Sequence, residues 1–507
     1  MASGAGAIGA AALLLVIAPL GAVVLHAGGL SLSAADLAAL RFTLLQSVLS
    51  ALLSVALAVP VARALARRRF PGRGLLITLM GAPFLLPVIV AVLGLLAVFG
   101  RAGLLNDLLA AAGLGRLSIY GLQGVLLAHV FLNLPLATRM ILQGWQSIPA
   151  ERFRLAESLS FRPGDIARHI ERPMLAKVLP GALATVFAIC LTSFAVALTL
   201  GGGPRATTLE LAIYQAVRFE FNLGHAAGLA LVQAGFGGAA ALLAWRLAQG
   251  TGFGAGMDRA LPLRPPGGWH RLADAAVLLL AGAFLLLPLL ALAVRGVPGL
   301  SDLPASVWPA AGRSVAVALI STAVVVPAAL SLALASARGA GRWIELAAVL
   351  PLALSGLVLG TGLFLLVQPV LPPTRLALPV TVLVNALMTL PFAFRLILPE
   401  AQVLVQDYGR LAASLDLRGW PALRYLVLPR LARPLGFSAG VASALSMGDL
   451  GVIALFADRQ EATLPLMVQH LTAAYRTQAA AGAALLLVGL SFALFWAFDA
   501  GGRRAAA

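Results

Sequence analysis

Side chains capable of chemistry are few along this 507-residue chain, and they lie far apart. The only lysine, Lys177, stands between Ala176 and Val178. A phosphate-cradling loop needs Gly-Lys followed by Ser or Thr, so no nucleotide, magnesium or other cofactor is expected on this chain itself. The six histidines, at 26, 129, 169, 225, 270 and 470, and the single cysteine, Cys190, show no metal-ligand spacing. No metal centre is expected. With no catalytic cluster or serine nucleophile elbow expected either, the chain reads as a non-enzyme.

One acid stands out. Asp449 lies in the run Leu445-Ser446-Met447-Gly448-Asp449-Leu450-Gly451-Val452, where a carboxylate is costly unless paired, hydrated or protonated. It is suited either to giving a central cavity a negative potential or to a hydrogen bond between helices, since Gly448 and Gly451 permit close backbone approach. Ser193 is its counterpart earlier in the chain. His129, also in an apolar run, is suited to lining such a cavity or to a helix-packing hydrogen bond.

The elements that must hold these groups are apolar helices. Hydrophobic residues make up 61% of the chain and charged residues 11%, too few charges for a water-soluble surface. Stretches such as 75–99 and 275–294 are apolar on every face, which excludes the alternation of a membrane β-barrel. The expected class is an all-α integral membrane protein with about twelve transmembrane helices, near 7–29, 42–62, 74–99, 119–142, 178–200, 224–246, 275–294, 314–336, 344–368, 377–397, 434–456 and 478–498. In a soluble protein a net charge of +17 would suggest nucleic acid as a partner; here none is expected, because the arginines cluster in short loops. Alternation from a cytoplasmic N-terminus puts 26 of the 36 basic residues on the cytoplasmic side, which fits the positive-inside rule. Both termini are then cytoplasmic. Residues 11–25 read as a retained first helix, for want of a basic region before them.

The chain also repeats itself. Ser47-Val48 through Val59-Pro60 parallels Ser314-Val315 through Val326-Pro327, and Leu134-Pro135 with Arg139 parallels Leu390-Pro391 with Arg395. Leu155-Ala156 with Ser158-Leu159 matches Leu411-Ala412 with Ser414-Leu415, and Pro173 matches Pro429. Composition alone does not hold prolines, arginines and this cassette in one register. Two homologous six-helix halves are expected, 1–248 and 272–507, joined by a Gly-, Pro- and Arg-rich linker at 249–271. An even number of helices per half gives both copies one orientation, and pathways form at such interfaces.

Each half carries a long loop between its fourth and fifth helices, at 148–173 and 404–429. The first reads as helix, turn, helix. Pro149 starts it, Pro163-Gly164 breaks it, Asp165 caps the second helix and Pro173 ends it. The second copy uses Gly419 and Pro421 before Pro429. Both loops resemble the EAA loop of type I ATP-binding cassette importer permeases, which runs Glu-Ala-Ala, three residues, Gly, then Ile-x-Leu-Pro. Ala156 and Ala412 hold the second alanine, and Leu428-Pro429 the closing pair. The departures are Leu155 and Leu411 for the first alanine, Arg154 and Arg410 for the glutamate, Ser160 and Asp416 for the glycine, and Arg172 before Pro173. By that resemblance Arg152, Arg154, Leu155, Ala156, Leu159, Ser160 and Pro173, with Arg410, Leu411, Ala412, Leu415, Asp416 and Pro429, couple the chain to an ATPase.

The stretch from Ser193-Phe194-Ala195 through Leu200-Gly201-Gly202-Gly203-Pro204 to Thr207-Thr208-Leu209-Glu210-Leu211-Ala212-Ile213-Tyr214-Gln215 resembles bacterial thiamine permeases. That likeness runs through the linker into the second half. It implies import of thiamine, and of its phosphates as a possible extension, across a bacterial inner membrane. Two copies of a cytoplasmic ATPase holding ATP and magnesium, a periplasmic or extracellular binding protein, a small-molecule substrate and the lipid bilayer are the implied partners. The segment 201–204 needs only to be a turn, with Thr207-Thr208 starting an amphipathic piece, so chemistry alone leaves two alternatives open. Fused ferric iron permeases share the two-half plan and a Gly-Asp pair like Gly448-Asp449. An ion-coupled secondary transporter would also have repeats, but it would need a relay of buried acids.

Overall fold

A computed structural model describes residues 2–28, 32–81, 86–203, 206–247, 268–458 and 460–506, and among them there are helices and no strands. Most of the proposed linker, and Pro204 of the turn at 201–204, lie outside the described residues. In the first half the helices are α1 (Ala2–His26), α2 (Ala34–Arg67), α3 (Arg73–Leu79), α4 (Val88–Phe99), α5 (Leu104–Ala111), α6 (Leu122–Gln146), α7 (Ala150–Ser158), α8 (Arg172–Leu191), α9 (Ala195–Leu200), α10 (Leu209–Arg218) and α11 (Leu223–Leu247). The second half contains α12 (Trp269–Gly299), α13 (Val307–Ala337), α14 (Arg342–Val349), α15 (Gly356–Val367), α16 (Ala377–Ser414), α17 (Leu428–Met447), α18 (Gly451–Phe456), α19 (Leu464–Ala473) and α20 (Thr477–Ala505). Among the described residues eleven helices are long and apolar enough to span a bilayer, or twelve when the bent pair from Arg342 to Val367 counts as one span. The chain is an all-α integral membrane protein.

Several spans differ from the sequence expectation, each for a local reason. The span expected at 344–368 is broken, with a bend of 94°. Pro351 ends its first piece in a 3-10 turn, and Ser355 caps the second by accepting from Val358 N at 3.0 Å. The span expected at 74–99 is likewise two helices, α3 and α4, the latter entered from Pro87. The spans expected at 178–200 and 434–456 are interrupted at 192–194 and 448–450, so each ends in a six-residue piece, α9 or α18. The span expected at 377–397 runs on to Ser414, because Val405 stands where the first half has Pro149.

The two halves are built alike, and they exchange their first helices. α1 packs on α11 of its own half and on α13 and α15 of the other; α12 packs on α20 and on α2 and α4. The crossings are close. A Cβ on Gly94 of α4 would strike the Pro288 carbonyl of α12, and one on Gly362 of α15 would strike the Pro19 carbonyl of α1. Glycine is required at both points because the two backbones touch.

The structure also corrects the register of the repeat in the second helix. Thr43 Oγ1 accepts from Leu209 N at 2.9 Å, and Ser314 Oγ accepts from Leu464 N at 2.8 Å. Each hydroxyl thereby suspends the short helix α10 or α19. Thr43, not Ser47, is therefore the counterpart of Ser314, and the pairing of 47–60 with 314–327 is displaced by four residues. Four residues are about one helical turn, so the displaced register keeps the same face and similar side chains.

Candidate functional site

The two elbows enter differently, the first after a break at 147–149 and the second as the unbroken end of α16, but from Ala156 and Ala412 onward their backbones run in parallel. α7 closes with Ser160 N donating to Glu157 O at 3.0 Å and Phe161 N donating to Ala156 O at 2.9 Å. In the other elbow, Asp416 N donates to Ala413 O at 3.2 Å and Leu417 N to Ala412 O at 2.9 Å. Both are Schellman ends, which place one residue in the left-handed region. Ser160 (φ 55°) and Asp416 (φ 49°) are those residues, so the turn that glycine favours is kept without glycine. Asp416 is further held by Arg418 Nε at 2.7 Å on the exposed surface.

Beyond the turn the chain re-enters a helix at Pro163 or Gly419, with Asp165 Oδ2 accepting from Arg162 N at 3.0 Å in the first copy. Pro173 does not end its helix, contrary to the sequence expectation, and Pro429 does not end the matching one. Ala167–Glu171 and Leu423–Val427 form single π turns, and α8 and α17 continue from them into the membrane-spanning segments. A wide turn relieves the clash between a proline ring and the preceding carbonyls.

Burial sorts the elbow residues. Leu155 and Leu411 are 60% and 52% exposed, and Leu159 and Leu415 are 59% and 61% exposed. Around them Arg152, Arg154, Ser160, Arg410, Pro173 and Pro429 are also exposed. Ala156 faces inward and is buried, and Ala412 is half-buried, so these two support the elbow from beneath. Each elbow thus offers two leucines one helical turn apart beside basic residues, a surface shaped for an apolar groove with acidic edges.

The elbows are anchored differently. Glu171, buried, accepts from Arg67 Nε at 3.1 Å and pairs with Arg63 Nη2 at 3.0 Å, which fastens the first elbow to the end of α2. Val427 takes that position in the second half, where Arg430 instead lies over the Tyr408 ring at 4.5 Å. Glu171 had escaped the sequence reading. Nothing in the sequence singles it out, since Glu151, Glu157 and Asp165 share the same loop with five arginines.

Of the residues expected along a pathway, Ser193 and Asp449 both sit in the breaks of the fifth helices, before α9 and α18. The Asp449 carboxylate faces the backbone N–H groups of Gly451, Val452 and Ile453, while its Oδ2 atom has no hydrogen-bond partner. Its break lies on the seam between halves. A Cβ on Gly448 would come within 3.1 Å of Pro87, and one on Gly451 within 3.8 Å of both Phe194 and Leu357. His129 is elsewhere. It is buried inside the first half, with Nδ1 3.0 Å from Ser50 Oγ, in a network where Asn133 donates to the His129 carbonyl at 2.9 Å and Gln46 to the Cys190 carbonyl at 3.0 Å. Nδ1 is thus engaged between helices, while Nε2 is buried without a hydrogen-bond partner.

One pentapeptide, Gly436-Phe437-Ser438-Ala439-Gly440, does spell Gly-x-Ser-x-Gly, which the sequence reading had not expected. It forms no nucleophile elbow. It lies inside α17 with Ser438 buried, and Cβ atoms on its glycines would meet Gly502 and Phe495 of α20, so it serves close helix packing. Among the described residues no group of three or more potential ligands is placed to hold a metal ion.

No family model matches the chain. It is 41% identical over 474 residues to the thiamine transport system permease protein ThiP of Salmonella typhimurium, covering 90% of this chain and 87% of that protein. The proteins of the same name from Brucella abortus and Haemophilus influenzae are 39% identical over 474 residues (90% of this chain, 86% of that protein) and 33% identical over 467 residues (89% and 87%).

Proposed function

The chain belongs to the family of thiamine transport system permease proteins, and from that premise we propose that it forms the transmembrane pathway of an ATP-binding cassette importer for thiamine. The observation that carries the importer reading is the pair of elbows, alike in their closing turns and each presenting two exposed leucines. Two equal docking surfaces call for two copies of one partner. That partner is a cytoplasmic ATPase, which binds ATP and magnesium, while this chain hydrolyses nothing itself. The elbow face then lies in the cytoplasm with both termini, the membrane is the bacterial inner membrane, and a soluble binding protein delivers substrate to the opposite face.

Within that frame the chain's own groups act by position and charge. The exposed elbow leucines enter the ATPase grooves, and the continuous helices through the π turns transmit the movement to the broken fifth helices. At the seam, Asp449 supplies a negative potential that favours the thiazolium cation of thiamine, and Ser193 offers a hydroxyl on the other side. The test is reconstitution. The purified chain in proteoliposomes, with its ATPase and binding protein, is expected to accumulate labelled thiamine only when ATP is supplied to the elbow side. The same chain without the ATPase subunit is expected to release no phosphate. Phosphate release by the chain alone, or uptake that ignores ATP, would sink the importer reading.

A further inference from the structure

A second buried carboxyl lies at the seam. Glu210, in the first turn of α10, is 1% exposed, and its Oε2 atom, like Asp449 Oδ2, has no hydrogen-bond partner. Its Oε1 atom accepts from Gln233 Nε2 of α11 at 3.0 Å, and the same nitrogen donates to the Leu191 carbonyl at 2.9 Å, just before the break that carries Ser193. α10 does not stay within its own half. It packs against α15 and α18 of the other, and Ser355, the cap of α15, faces the Glu210 carboxyl. Asp449 directly precedes α18. One acid therefore approaches the seam from each half.

The fold does not require Glu210. α19 is the same short helix in the second half, suspended from Ser314 as α10 is from Thr43, and it has Pro465 where α10 has Glu210. The register that matches Gly228 and Gly235 with Gly482 and Gly489 places buried Leu487 where α11 has Gln233. An apolar pair thus does the packing in one half, while the other keeps a carboxyl at the cost of an unsatisfied oxygen. Thiazolium is a diffuse cation with no N–H to donate. A carboxylate held on one oxygen by Gln233 and met from the other half only by the Ser355 hydroxyl has no cationic partner of its own, which suits such a substrate.

We propose that Glu210 is a second cation-recognising residue of the pathway, meeting the positive charge of the substrate across the seam from Asp449. This rests on the reading of the chain as a thiamine importer. It is tested in proteoliposomes containing the whole complex, with labelled thiamine below saturation, by comparing Glu210→Gln and Glu210→Asp with wild type. Glu210→Gln, which keeps shape and hydrogen bonding, is expected to lower uptake by about tenfold while the melting temperature and the ATPase stimulation by binding protein stay at wild-type values. Glu210→Asp, which keeps the charge, is expected to recover a substantial part of that loss. The proposal is overturned if Glu210→Gln transports like wild type, if both variants lose uptake equally, or if Glu210→Gln unfolds or melts lower. Wild type that imports no thiamine sinks the substrate reading instead, so the two failures are told apart.

Discussion

At the scale of single residues, Ser160 and Asp416 show how a family pattern can be lost in letters and kept in backbone. Both take a positive φ, which costs a side chain with a Cβ about 1 kcal/mol relative to glycine. Ser160→Gly is therefore expected to raise the melting temperature slightly, and Ser160→Val, with a branched Cβ, to lower it; equal melting curves would contradict the strain. Asp449 makes a different prediction. Asp449→Asn deletes charge while keeping shape, so thiamine uptake is expected to fall with folding and ATPase coupling intact. Uptake at the wild-type rate would remove the electrostatic role of Asp449 and leave it a capping residue. The sequence made Asp449 visible as an acid in an apolar run, but Glu210 sat in a stretch that already read as an amphipathic helix start, where an acid draws no notice.

At the scale of elements, what was legible depended on whether the signal was local. The π turns were hidden because a proline read locally is a helix stop, whereas Pro173 and Pro429 sit where a widened turn accommodates them. The breaks in the third and fifth helices were hidden because hydropathy averages over a window and sees only an unbroken apolar run. By contrast, the twelve apolar runs and the two elbows carried strong signals of composition and repetition. Which elbow residues face outward was not among those signals. Leu155 with Leu159, and Leu411 with Leu415, are the exposed pairs, while Ala156 is buried. Aspartate at all four leucines is expected to abolish ATPase binding, measured by co-purification, with little change in melting temperature. Ala156→Glu is expected to act on the fold instead, because a carboxylate forced into that site without a partner costs about 1–3 kcal/mol or more. Retained ATPase binding in the fourfold leucine variant would show that the docking surface lies elsewhere.

At the scale of the whole molecule, the two halves are inseparable through their first helices. α1 lies on α13 and α15 across the seam, α12 lies on α2 and α4, and the crossings on α15 and α4 are backbone contacts at a glycine, Gly362 and Gly94. A half on its own would leave a long apolar face of its third helix without the partner it is shaped for. In lipid that face is not driven to close by the hydrophobic effect, so the missing packing is a loss of fit that no rearrangement within the half restores. A chain divided within the proposed linker is therefore expected to behave in a particular way. Residues 1–255 and 256–507 produced together should co-purify and rebuild thiamine uptake with the ATPase and binding protein, whereas either alone should be degraded or aggregate. Gly94→Leu or Gly362→Leu should weaken that reassembly, because either side chain would wedge the crossing helices apart; the intact chain, which holds the halves at high local concentration, should suffer less from the same change. Co-purification that survives both substitutions together, with uptake intact, would show that the exchanged first helices do not hold the halves to one another.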